Sequence, residues 1–257
     1  MQKIAPSSGW FWLQQGFALF RQQPMLLSGL YALNLLLLIL ISNIPLLGHV
    51  LPLVLMPACN MALMSACLHI ARGEKVDFGV WSSGFRAKAF PVLCQLGLAY
   101  ALANWGAIAL SSLVDNGLFL QLASGKMQLD PNSKTMPNIG PGMLTTLACM
   151  IPAVMAVWFA SPLIMWKNMP LLKAMFFSFF AVWHALLAFL VFVMSVLACA
   201  TGMLIFSAVI TLATHSQGFG VMLLMPMIMM LSTVLYCSVY PAYVQIFGAQ
   251  DAPGSVP

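Results

Sequence analysis

The sequence predicts an all-α membrane fold: a six-helix transmembrane bundle with amphipathic helices lying at the cytoplasmic interface. Three observations predict it. Of 257 residues, 62% are hydrophobic and 6% charged, whereas a water-soluble domain carries roughly a quarter charged residues. The apolar residues collect in runs close to the roughly 20 residues that a helix needs to cross the hydrocarbon core. No charged residue falls at the centre of a run, and lipid leaves a chain no way to satisfy its backbone except as helix or closed barrel. The six runs are residues 25–43, 47–70, 90–114, 143–166, 185–211 and 221–247. They define one integral membrane domain over residues 1–247, followed by a short cytoplasmic tail at 248–257.

The first element precedes the first run. Residues 8–23 draw as a helix with Trp12, Leu13, Phe17, Leu19 and Phe20 on one broad side and Gln14, Gln15, Arg21 and Gln22 on the other. Too short to span, it is expected to lie flat, with Trp10, Trp12, Phe17 and Phe20 in the acyl boundary and Arg21 reaching the headgroups. Pro24 marks the change of direction into the first span. Ile44, Pro45 and Gly48 supply the tight turn of a helical hairpin. Pro52, Pro57, Pro152, Pro162, Pro226 and Pro241 fall within spans, where each removes a backbone donor and predicts a bend. Residues 115–141 make the one sizeable outer loop, and Asp130-Pro131-Asn132-Ser133 argues for irregular structure there. Lys3 and Arg21 precede a long apolar run with no small-residue cleavage site after it, so no cleaved signal peptide is expected.

Basic residues set the orientation. Lys3, Arg21, Arg72, Lys75, Arg86, Lys88, Lys167 and Lys173 fall on one side, and only Lys126 and Lys134 on the other. The positive-inside rule then places both termini in the cytoplasm. Trp10, Trp12, Trp81, Trp166 and Trp183 gather near the same face as an aromatic belt. The net charge of +5 is dispersed, with no patch or motif for nucleic acid. Expected partners are membrane lipids and, in a homo-oligomer or otherwise, another membrane protein.

A threefold pattern is visible. Trp12-x3-Gly16-Phe17 leading to Pro24 is echoed by Trp81-x2-Gly84-Phe85 leading to Pro91, and more weakly by Lys173 to Trp183. This divides the chain into units 1–70, 71–166 and 167–247, each an interfacial helix followed by a spanning hairpin. Units that cross twice are parallel copies about the membrane normal.

Several of these strings carry a resemblance. Gly9-Trp10-x-Trp12 with Gly16-Phe17-x-Leu19-Phe20-Arg21-x-x-Pro24, Arg72-Gly73-Glu74 with Gly84-Phe85-Arg86, Ser161-Pro162-Leu163 and Ala174-Met175-x-x-Ser178-Phe179 resemble a family of uncharacterised proteobacterial multi-pass inner-membrane proteins. The resemblance implies a bacterial inner-membrane location and brings no activity with it. A looser likeness in layout is to the membrane domains fused to some glycerophosphodiester phosphodiesterases, without their catalytic domain.

Chemistry has few footholds. Asn34, Asn60, Gln95 and Asn104 are the polar candidates inside spans, where an amide either bonds across a helix interface or marks a substrate site. Gly97, Ala101, Gly202 and Ser207 fit close helix packing. Arg72, Glu74, Lys75 and Asp77 cluster beyond the second span and read as a solvated loop group. Met222, Met225, Met227, Met229 and Met230 include one Met-x3-Met pair of the kind that suits Cu(I), though Met is also flexible core filler. Cys59, Cys67, Cys94, Cys149, Cys199 and Cys237 read as buried free thiols. His49 and His215 fall in outer loops and His69 and His184 at the inner interface, with no metal spacing. No nucleophile elbow, P-loop or His-Glu-x-x-His segment is present. The expectation is a non-enzymatic scaffold or a binder of lipid or an apolar small molecule, with no catalytic residue, cofactor or metal. The alternative is a transporter or channel for a weakly charged solute or soft metal.

Overall fold

The computed structural model describes residues 4–45, 47–125, 138–214 and 216–248. Lys126, Lys134, His215 and nearly all of the 248–257 tail lie outside the described residues. Among those described, every regular element is helical. Six helices are long and apolar enough to cross a membrane: Pro24–Ser42, Leu51–Ala71, Phe90–Asp115, Gly140–Lys167, Leu186–Thr214 and Gly218–Phe247.

Helix α1 (Ser8–Gln22) ends at Gln23, and Pro24 opens α2 (Pro24–Ser42) at a first-turn position where its missing N–H costs nothing. Helix α3 (Leu51–Ala71) likewise takes Pro52 into its first turn, so of the two prolines expected to bend this span only Pro57 is interior. The segment after α3 is less helical than its echo of α1 suggests. It forms a 3₁₀ turn over Phe78–Ser82, capped by the Asp77 carboxylate on the Gly79 N–H, and a single turn, α4 (Ser83–Arg86). Helix α5 (Phe90–Asp115) ends on Asn116 and Gly117, both with positive φ.

The loop after α5 begins with more order than its composition predicts. Helix α6 (Leu118–Ala123) follows directly because the Asp115 carboxylate accepts from Gly117 N at 3.0 Å and Phe119 N at 2.8 Å. These are first-turn donors that a helix cannot satisfy by itself. The fourth span is two helices, α7 (Gly140–Val157) and α8 (Ala160–Lys167). Pro162 removes the donor that the Trp158 carbonyl would receive. Ser178 enters the ladder from outside, its hydroxyl accepting from Phe159 N at 2.9 Å and donating to Met155 O at 2.8 Å. A side chain inserted between residues four apart, next to a proline, accounts for the break. Helix α9 (Leu171–His184) supplies that serine, and α10 (Leu186–Thr214) and α11 (Gln217–Phe247) complete the chain. Pro152, Pro226 and Pro241 sit inside helices that continue through them.

The short elements dock in a cyclic order. α1 packs on α11, α4 on α3 and α9 on α7. Close approach is built in: a Cβ on Gly16 would lie 2.1 Å from Ser238 Oγ, and one on Gly84 would lie 2.2 Å from Ala58 O. Gly9 meets the α10 backbone at Ala188 in the same way. Gly97 meets Val54 O, as expected of a packing residue, whereas a Cβ on Gly202 would meet nothing within 4 Å.

This docking changes the environment expected for α1. Trp12 is 1% exposed and Phe20 7%, so both lie inside the protein rather than in the acyl boundary. Trp12 meets Phe189 and Phe192 edge to face, with centroids 5.2 and 6.3 Å apart, and its indole N–H donates to Gln245 Oε1. Trp10 and Phe17 remain exposed, and Arg21 lies over the Phe17 ring at 5.9 Å. In lipid, apolar character does not distinguish a face that meets acyl chains from one that meets another helix.

Candidate ligand cavity

Among the described residues, the helices leave a cavity of about 500 Å³ near the middle of the bundle, besides one of about 730 Å³ between α1 and α11 that Ser8, Gln15 and Gln245 help to line. Leu53, Met56, Pro57, Asn60, Met61 and Met64 of α3 form one wall of the central cavity, and Val154, Val157, Trp158, Ser161 and Pro162 of the α7–α8 break form another. Helix α10 adds Phe192, Val193, Val196 and Leu197, α11 adds Leu235, Tyr236 and Val239, and α5 adds Tyr100. The broken ladder at Trp158 and Phe159 turns Ser161 and Pro162 toward this space, so the local accident of Pro162 and Ser178 helps to shape it.

The lining is mostly hydrocarbon, and among the described residues no charged side chain belongs to it. Beside the indole of Trp158, four side chains with a hydroxyl or amide do: Asn60, Tyr100, Ser161 and Tyr236. None of the four finds a hydrogen-bond partner among the described residues, although Ser161 is only 7% exposed. The cavity also reaches the side of the bundle. α7 and α10 are not packed along one another, and the α10 residues Val193 and Leu197 both line the cavity and stay 47% and 53% exposed.

The four candidate amides separate. Asn34 is spent on structure: its Oδ1 accepts from the Trp81 indole N–H at 2.9 Å and its Nδ2 donates to Cys59 O at 3.1 Å. It thereby ties α2, α3 and the 3₁₀ turn together. Asn60 faces the cavity. Gln95 is exposed and Asn104 half-buried, and neither lines the cavity. Tyr100, Ser161 and Tyr236 were not singled out from the sequence, where the one available signal was a hydroxyl beside Pro162. The loop group beyond α3 is also reorganised: Glu74 pairs with His69 Nδ1, and Gln23 donates to Glu74 O at 3.3 Å. Met222 and Met225 point outward, 73% and 62% exposed, away from the cavity. The methionines that do line it, Met56, Met61 and Met64, all come from α3.

Six apolar spans packed as an all-α bundle define a multi-pass integral membrane protein. A protein of Burkholderia thailandensis named probable inner membrane protein BTH_II0599 is 31% identical over 259 aligned residues, covering 98% of this chain and 95% of its own length. The chain belongs to the same family of multi-pass inner-membrane proteins. No family model matches the chain and no solved structure matches it. The likeness to glycerophosphodiester phosphodiesterase membrane domains gains no support from these comparisons.

Proposed function

We propose that this protein is a non-enzymatic inner-membrane binder that takes a lipid or apolar small molecule into the central cavity through the gap between α7 and α10. The observation that carries this reading is the cavity itself, about 500 Å³, lined chiefly by apolar side chains and continuous with the lipid-facing surface at Val193 and Leu197. Sites for apolar ligands typically occupy about 300–1,000 Å³ and combine a hydrophobic wall with a few polar groups. A metal or solute pathway draws less support, because the amide and thioethers at the cavity come from α3 alone rather than converging from several helices. The distribution of basic residues supports a topology with both termini in the cytoplasm. The cyclic docking of α1, α4 and α9 supports three parallel units over 1–70, 71–166 and 167–247.

Cells fed a diazirine-bearing fatty acid test the binding reading. Illumination is expected to crosslink the α3 peptide containing Asn60 and the α10 peptide containing Val196, and Val196→Trp, which fills the space, is expected to abolish both. Labelling confined to outward residues such as Leu212 would overturn the reading. Fusions of alkaline phosphatase and a fluorescent protein after residue 247 test the topology, with fluorescence and no phosphatase activity expected.

A further inference from the structure

The binding reading leaves open what kind of molecule the cavity holds, and its polar groups narrow the answer. Resting on that reading, we infer that the ligand is an uncharged lipid carrying clustered carbonyl oxygens, held by Asn60, Tyr100, Ser161 and Tyr236.

The absence of lining charge excludes an ionised head within the cavity. A carboxylate or phosphate there would lose its hydration with no Lys, Arg or His to replace it, and a charge buried without a partner is among the costliest arrangements in a membrane. A wholly hydrocarbon ligand also fits poorly. It would leave the buried Ser161 and the half-buried Asn60, Tyr100 and Tyr236 facing hydrocarbon alone, and a polar group without a partner there carries a desolvation penalty. Ser161 is 93% buried by its 7% exposure and has no protein partner among the described residues, so its hydroxyl is aimed at whatever fills the space.

The chemistry of the four groups indicates what that is. Two phenols, one aliphatic hydroxyl and one primary amide can all donate, and only acceptor oxygens can receive from all of them at once. A carbonyl offers two lone pairs without bringing a donor or a charge of its own. Paired carbonyls occur in two uncharged lipid types, a quinone ring and the ester region of a diacylglycerol, and both attach to apolar chains. The carbonyl group would sit among Asn60, Tyr100, Ser161 and Tyr236, and the chain would leave by the gap that Val193 and Leu197 border.

Competition against a diazirine-bearing hydrocarbon photoprobe tests this on the full-length protein in nanodiscs, with labelling of the Val196 peptide as the readout. Four competitors are used: dioctanoylglycerol, a benzoquinone with a decyl tail, hexadecane, and dioctanoyl phosphatidylglycerol. At least one neutral carbonyl lipid is expected to displace the probe at about tenfold lower concentration than hexadecane, and phosphatidylglycerol to be the weakest. Ser161→Ala and the near-isosteric Tyr236→Phe should each erase most of that preference while leaving photoprobe labelling intact, and whichever neutral lipid competes better identifies the source of the carbonyls. If hexadecane or phosphatidylglycerol competes as well as the neutral carbonyl lipids, or both variants keep the preference, the carbonyl inference is overturned and the apolar-cavity reading stands. If the photoprobe never labels the Val196 peptide, both fall.

Discussion

The basic end of the bundle and its middle are built from the same helices and treat polar and aromatic groups in opposite ways. At the basic end the large side chains interlock: Trp12 on Phe189, Phe159 on Phe247 at 5.6 Å, and Trp166 on Tyr243 at 5.2 Å. Polar side chains join this packing, as with Trp12 and Ser8 on Gln245, although the buried Ser83 hydroxyl of α4 finds no partner. About one to two turns further along α3, α8 and α11, the packing opens into the cavity and four polar groups are left without protein partners. Stabilising contacts and open polar groups therefore fall on different side chains. Asn34 and Asn60 show the contrast in one residue type: the first is consumed by Trp81 and Cys59 O, the second is held open.

Substitutions can break or sharpen this contrast. The largest effect is expected from Trp12→Ala, which empties a site 1% exposed and should cost about 3–5 kcal/mol, read as a lower midpoint of thermal unfolding in detergent. Gly16→Val comes next. Its Cβ would collide with Ser238, whose Oγ lies 2.1 Å from that position, and overpacking of this kind costs about 1–3 kcal/mol. A smaller loss of about 1–2 kcal/mol is expected for Asn34→Leu, which leaves the Trp81 N–H without its acceptor. The smallest belongs to the cavity: Ser161→Ala should change stability by no more than about 0.5 kcal/mol, because it removes a hydroxyl that bonds to nothing in the protein. A destabilisation by Ser161→Ala comparable to that of Asn34→Leu would erase the distinction between bonded and open polar groups.

The spans were legible because length and hydropathy are local properties, and the runs beginning at Met25, Phe90 and Met143 fall within three residues of helix starts. Features that depend on distant partners were not. The break at Phe159 needs Ser178, 19 residues away, and nothing in the run 143–166 points to it. α6 owes its existence to a single carboxylate at Asp115. The apolar side of α1 was readable, but its counterpart was not, since helix–helix and helix–lipid contacts draw on the same residues. Of the cavity, the sequence offered Asn60 and withheld Tyr100, Ser161 and Tyr236, because hydroxyls are common in spans and only folding decides which ones lose their partners.

The bond from Trp12 to Gln245 spans 233 positions. A ribosome adding roughly 5–20 residues per second needs roughly 12–47 s to make that stretch. For most of that interval α1 has been synthesised while α10 and α11, which will cover Trp12, have not, so its aromatic side must rest on the bilayer or on the insertion machinery. Helix α1 can reach its final seat only after α11 has been made, and a chain cut short before α11 would leave α1 lying in the headgroup layer.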